Sequence, residues 1–114
     1  MAFSEFEHKR IEKIAGTFCR NRVPERARTQ LRYTYRIEGQ NVFLSEDRPR
    51  WDNPDEWLAL DFAKLTYVKS RKIWKLYWMR ASGRWERYEP CRKDKHLENL
   101  ITVIGEDQYG CFFG

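Results

Sequence analysis

Residues Leu31 to Arg48 read LRYTYRIEGQNVFLSEDR, and the architecture follows from their pattern. Leu31, Tyr33, Tyr35 and Ile37 alternate with Arg32, Thr34, Arg36 and Glu38. A period of two sends these sets to opposite sides of an extended chain, which predicts a half-buried strand. Gly39 sits where the chain must reverse tightly, and Val42 and Leu44 resume the alternation. The whole segment is therefore predicted to be an antiparallel hairpin.

On the N-terminal side of the hairpin the period changes. Ser4 and Glu7 have capping-box spacing, and Phe6, Ile11, Ile14, Ala15 and Phe18 fall mostly at helical intervals until Pro24. Glu5 and Glu7 near the start of this helix and Arg20 and Arg22 near its end complement the helix dipole. Pro24 suits the first position of a short second turn of helix reaching Gln30. On the C-terminal side, RPRWDNPDEW, residues 48 to 57, holds two prolines and an Asp-Asn-Pro turn signal, so the sheet is predicted to break into a loop. Strands are predicted at Ala63 to Lys69, Lys72 to Arg80 and Arg84 to Tyr88, with Ser82 and Gly83 at the last turn and Pro90 as the stop. Asp94 then caps a helix whose Leu97, Leu100, Ile101 and Ile104 share one face and which ends near Gly105 to Gly110. The sum is an α+β fold: an N-terminal helix, an antiparallel sheet of about five strands and a C-terminal helix, with the helices on one sheet face.

The chain has 114 residues, enough for one domain that buries about two-thirds of its unfolded surface. Hydrophobic residues make up 41% and aromatics 16%, more than a disordered polyelectrolyte carries, so the chain is expected to fold. Its apolar runs are far shorter than the roughly 20 residues that cross a bilayer, and MAFSEFEHKR has acids where a signal peptide needs bases and then apolar residues. A soluble, cytoplasmic protein without membrane contact is expected. Cys19, Cys91 and Cys111 are an odd set, which predicts reduced thiols rather than a disulfide framework.

Charge is unevenly distributed. The net charge is +5, yet Lys64 to Arg87 alone carries eight Lys and Arg against the single acid Glu86, leaving the remainder slightly negative. Five large aromatics, Tyr67, Trp74, Tyr77, Trp78 and Trp85, interleave with these cations. Cations among flat rings suit a phosphate backbone and unstacked bases, so RNA or DNA is the expected partner. Lys69, Arg71, Lys72, Lys75 and Arg80 are the principal expected phosphate contacts, with Lys64, Arg84 and Arg87 completing the set. No recognised RNA-binding signature accompanies them, so little base specificity is expected. The strand from Lys72 to Arg80 is apolar on both sides, with Trp74, Leu76 and Trp78 on one and Ile73, Tyr77 and Met79 on the other. Most of Trp74, Tyr77, Trp78 and Trp85 are expected in the core.

The pieces RIEGQ (36 to 40), RPRWDNPDEW (48 to 57), AKLTYVKSRKIWKLYWMRASGRWERYEP (63 to 90) and GCFFG (110 to 114) together resemble a bacterial family of domains of unknown function, number 3024. The resemblance spans nearly the full length, and the tryptophan-rich strand pair is its most specific part. It implies a small bacterial single-domain protein, with no mechanism and no catalytic residue to carry over.

Two other functional readings compete with polyanion binding. Glu46, Asp47, Asp52, Asp55, Glu56 and Asp61 precede Lys64 and Lys69, and metal-dependent nucleases pair carboxylates with a lysine. An acid-rich loop held by side-chain turns explains the same residues without chemistry, so no catalytic residue is assigned. The tail Tyr109 to Gly114 holds adjacent phenylalanines that must be covered, either by their own domain or, as an alternative, by a second copy in a homodimer. Cys91, His96 and Cys111 lack the four ligands and close pairs of a zinc site, and His8 and Cys19 are too far apart along a helix for joint coordination. No metal and no cofactor are expected. In the loop, Arg50 is expected to pair with Asp52, Asp55 or Glu56, while Trp51 and Trp57 pin the loop to the body.

Overall fold

The computed structural model describes residues 3–113. Helix α1 spans Glu5–Arg22. Its start is closed reciprocally: Ser4 Oγ accepts from the Glu7 N–H at 3.2 Å, and the Glu7 carboxylate accepts from the Ser4 N–H at 2.8 Å. These bonds hold the Glu7 carboxyl below its usual range. The helix stops where Val23 turns extended ahead of Pro24, and a short 3-10 turn follows at Glu25–Ala27.

The sheet then runs as a meander: β1 (Arg32–Glu38), β2 (Asn41–Pro49), β3 (Trp57–Val68), β4 (Ile73–Met79) and β5 (Trp85–Arg87), each antiparallel to the one before. A sixth strand, β6 (Lys93–Asp94), shares the free side of β4 with β5. Helix α2 covers Leu97–Glu106. Gly39 and Gly83 take positive φ in the tight turns β1–β2 and β4–β5, as the alternation and turn residues predict.

Alternation decides what lies beneath the helices. Val42, Leu44, Ala63, Leu65, Trp74 and Leu76 point to one face and are buried with Ile11, Ala15, Leu100 and Ile104. An ion pair of 2.9 Å between Arg10 and Glu98 links the two helices at the surface. Burial also pushes the Cys19 thiol up to about 11, so it is an inert core thiol. The C-terminal tail folds into the same core. Phe112 packs at a tilt against Tyr88 at 4.9 Å, and Phe113 meets Phe62 and Tyr33 at 5.0 and 5.6 Å. Asp107 holds it there: at φ +44° it ends α2, and its carboxylate accepts from the N–H groups of Phe112 (3.0 Å) and Phe113 (2.9 Å).

Four sequence expectations change. β3 begins at Trp57, six residues before the predicted Ala63, because a bulge at Phe62 puts Phe62 and Ala63 consecutively toward the core and breaks the alternation a strand should show. The chain after Pro90 returns to the sheet as β6, too short to show a period. Trp51 is 94% exposed rather than pinned, since the loop closes without it through Arg50, whose side chain bonds Asp52 and Glu56 and whose N–H donates to the Glu56 carbonyl. Tyr77 and Trp85 lie half-buried on the uncovered face, while Trp74 and Trp78 pack toward the core. Trp57 does fasten its end of the loop, under the Arg32 guanidinium at 3.5 Å. Among the described residues no helix is long and apolar enough to cross a membrane.

Candidate nucleic-acid interface

The face of the sheet away from the helices divides into two electrostatic halves. On the β1–β3 half, opposite charges consume one another. Asp61, on β3, receives two bonds from the Arg36 guanidinium of β1 at 2.7 and 2.9 Å and a third from Ser45 of β2. Arg36 also reaches Glu38 at 3.3 Å and lies 4.4 Å over the Phe43 ring. Such a two-pronged pair is the strong form of an ion pair. Hydrogen bonding from Arg36, and then from Ser45, holds the Asp61 carboxyl below its usual range.

This pair carries a pH prediction. A carboxyl whose folded value is depressed contributes stability that is complete above its unfolded value, near pH 4, and is lost as pH falls through the folded value. Asp61→Asn is therefore expected to cost about 1 kcal/mol at pH 7, below the roughly 1.5 to 3 kcal/mol of charged hydrogen bonds because Arg36 is 44% exposed. The cost should shrink as pH falls below about 4. Thermal melts of both proteins from pH 7 to pH 2 check this: a difference in melting temperature that stays constant with pH would show that ionisation of Asp61 contributes nothing.

The β4–β6 half is different. Arg71, Lys75, Arg87, Arg92 and Lys93 line one depression of about 160 Å³. Arg71 comes from the β3–β4 turn, Lys75 from β4, Arg87 from β5, Arg92 from the short turn after β5, and Lys93 from β6. Lys75 and Lys93 are directly opposed in the ladder, an arrangement that like charges disfavour. Among the described residues the acid that pairs with these cations is Glu89 at the rim, 4.0 Å from Arg87 and 3.7 Å from Arg92, at the outer limit of ion pairing. Beside the depression Lys64 rests its ammonium 4.6 Å over Tyr77 and 5.5 Å over Trp85. A base stacking on that side of these rings must displace Lys64.

Of the eight cations predicted from sequence, Arg71, Lys75 and Arg87 converge in the depression and Lys64 flanks it. The others do not join them. Arg80 is engaged by Glu86 at 3.1 Å, Arg84 is exposed in the β4–β5 turn, and Lys69 lies near enough to the α1 N-terminus to help lower the Glu7 carboxyl. Lys72 is exposed in the β3–β4 turn at φ +53°, a conformation its position in the loop demands. Arg92 and Lys93 lie beyond Pro90, which on sequence alone ends the last strand, so the strand pattern does not point to them. The signal that finds them is the run CRKDK, which adds three cations beside one acid just beyond the tryptophan-rich strands.

The acids weighed as catalytic are dispersed. Glu46 pairs with Arg48, Asp47 accepts from Thr34, and Asp52 and Glu56 share Arg50. Among the described residues no group of three or more His, Cys, Asp or Glu side chains is placed to hold a metal ion.

These features define a class: a two-helix α+β fold whose meander sheet keeps one face open, with a cationic depression at one corner. Residues 3–114 match the family described as Domain of unknown function (DUF3024), and the chain belongs to that family. No curated protein and no solved structure matches it.

Proposed function

We propose that the protein binds RNA or DNA in the bacterial cytoplasm through the phosphate backbone, with the β4–β6 corner of the open sheet as the contact and little discrimination among bases. The observation that carries this reading is the convergence of five cations from five separate segments onto one depression, including a lysine pair opposed in register. Folding brings these charges together against their mutual repulsion, a local conflict of the kind that marks functional sites. A polyanion relieves it. Backbone contact is favoured over base reading because Lys64 already occupies a face of Tyr77 and Trp85. The nuclease reading has no comparable support, since four of its six carboxylates, Glu46, Asp52, Glu56 and Asp61, are engaged by arginines and no three of the six gather at one point.

Fluorescence anisotropy with a mixed-sequence labelled single strand tests the proposal. Five phosphate contacts, at about −0.7 each, predict a log–log slope of affinity against salt of about −3 to −4. Absence of binding at low salt to both RNA and DNA would falsify it.

A further inference from the structure

The β2–β3 hairpin extends past the rest of the sheet, and its two edges are treated differently. β1 reaches β2 only as far as Asp47, and β4 reaches β3 only from Ala63 onward, so among the described residues no strand pairs with the outer part of the hairpin on either side. An antiparallel ladder alternates hydrogen-bonded and non-bonded pairs. The Arg50 N–H donates to the Glu56 carbonyl, and Pro49, opposite Trp57, has no N–H to give. The bonded pairs are therefore Arg48 with Leu58 and Glu46 with Leu60, and the backbone groups of Trp57, Ala59 and Asp61 point away from β2. On the β2 side the edge is blocked by Pro49, a common device against edge pairing. The β3 side has no such block: residues 57–60 contain no charge and no proline.

Side chains along that edge are also uncovered. Leu58 and Leu60, on the side of the sheet that bears the helices but beyond their reach, are 54% and 58% exposed, next to the 94% exposed Trp51. Together they line an open apolar cavity of about 520 Å³ with Pro49, framed by Glu46, Arg48, Arg50 and Asp52.

We infer that β3 pairs antiparallel with β3 of a second copy, about a twofold axis at Ala59. That register sets Leu58 opposite Leu60 of the second copy, and reciprocally, so four leucines close over one another on one side of the joined sheets. It sets Trp57 opposite Asp61, whose charge Arg36 already offsets. The frame of the cavity holds two acids and two bases in internal pairs, Glu46 with Arg48 and Arg50 with Asp52, so two identical surfaces meet without net repulsion. An unpaired backbone edge calls for a strand, and an isologous contact calls for a self-complementary one. The C-terminal phenylalanines take no part: Phe112 is buried, and Phe113 is half-buried against Tyr33 and Phe62 and beneath Arg22 of its own chain. The apolar patch is on the order of 400 Å² per copy, below the roughly 800 Å² per partner of a standard interface, which predicts a dissociation constant in the micromolar range.

Sedimentation velocity from micromolar to millimolar protein decides the matter. The wild type should pass from 14.0 kDa to twice that mass. Leu58→Lys with Leu60→Lys, at exposed positions, should weaken the dimer at least about a hundredfold. Ala59→Pro should do the same by removing an edge donor that β2 does not use, and amide exchange at Ala59 in the wild type should slow as concentration rises. A wild type that stays monomeric at millimolar concentration overturns the inference, and so does a dimer that survives the double lysine substitution. Should Ala59→Pro fail to fold, the lysine variant and the exchange measurement still give the answer.

Discussion

Reversing Lys75 and Lys93 to glutamate together is expected to lower affinity for a mixed-sequence single strand at least about a hundredfold at low salt, and to reduce the magnitude of the salt slope by about 1.4. Two of five converging charges are lost, and two carboxylates are put where phosphate oxygens should sit. The fold should tolerate the change. The lysine pair already opposes like charges, and the new carboxylates lie within the same depression as Arg71, Arg87 and Arg92, so the melting temperature should hold or rise slightly. Arg84→Glu with Arg26→Glu, both made at exposed positions outside the depression, is the matched control for net charge. Should it weaken binding as much as the double reversal does, the depression has no special role and the effect is one of overall charge.

The largest loss of stability is expected at Tyr88. It is 1% exposed, packs at a tilt against Phe112 at 4.9 Å and sits in the chain between Arg87 and the turn that leads to Arg92 and Lys93. Tyr88→Ala removes a ring that the surroundings cannot replace, at a cost of about 3 to 5 kcal/mol, against a total of about 5 to 15 kcal/mol for an ordinary domain. A fall in melting temperature of about 15 °C follows, measurable by circular dichroism. Because Tyr88 anchors the segment bearing three of the five cations, the variant should also bind polyanions more weakly below its melting temperature. Tyr88→Phe, which keeps the ring, separates the two effects: it should leave both stability and binding near the wild-type values. A melting temperature within a few degrees of wild type for Tyr88→Ala would mean that the Tyr88–Phe112 contact does not close the core.

These two sites differ in how far the sequence exposes them. The covered face was readable because Tyr33, Tyr35 and Ile37 keep strict alternation, and because α2 repeats Leu97, Leu100, Ile101 and Ile104 at helical spacing. Reading failed where a local device interrupts the period. The bulge at Phe62 shifts the parity of β3, so Leu58 and Leu60 belong to the same face as Ala63 and Leu65 although odd and even positions have exchanged. β6 holds two residues and has no period to read. The cations were visible as a composition, but which of them meet depends on pairing across strands. Lys75 finds Lys93 through the ladder, whereas Arg80, five residues further along the chain and just past the end of β4, is taken by Glu86. No spacing rule within one segment distinguishes those fates.

The strand order bears on how the molecule assembles. Each strand from β1 to β5 lies beside its neighbour in the chain, so the sheet grows through local turns and long loops need not close first. The two helices, from opposite ends of the described chain, are the distant pieces, and they meet through Arg10 and Glu98 over the finished sheet. Hairpin formation should thus be rapid and helix docking the step that expels the last water, so a substitution at Ile11 or Leu100 should mainly hasten unfolding and leave the rate of folding little changed.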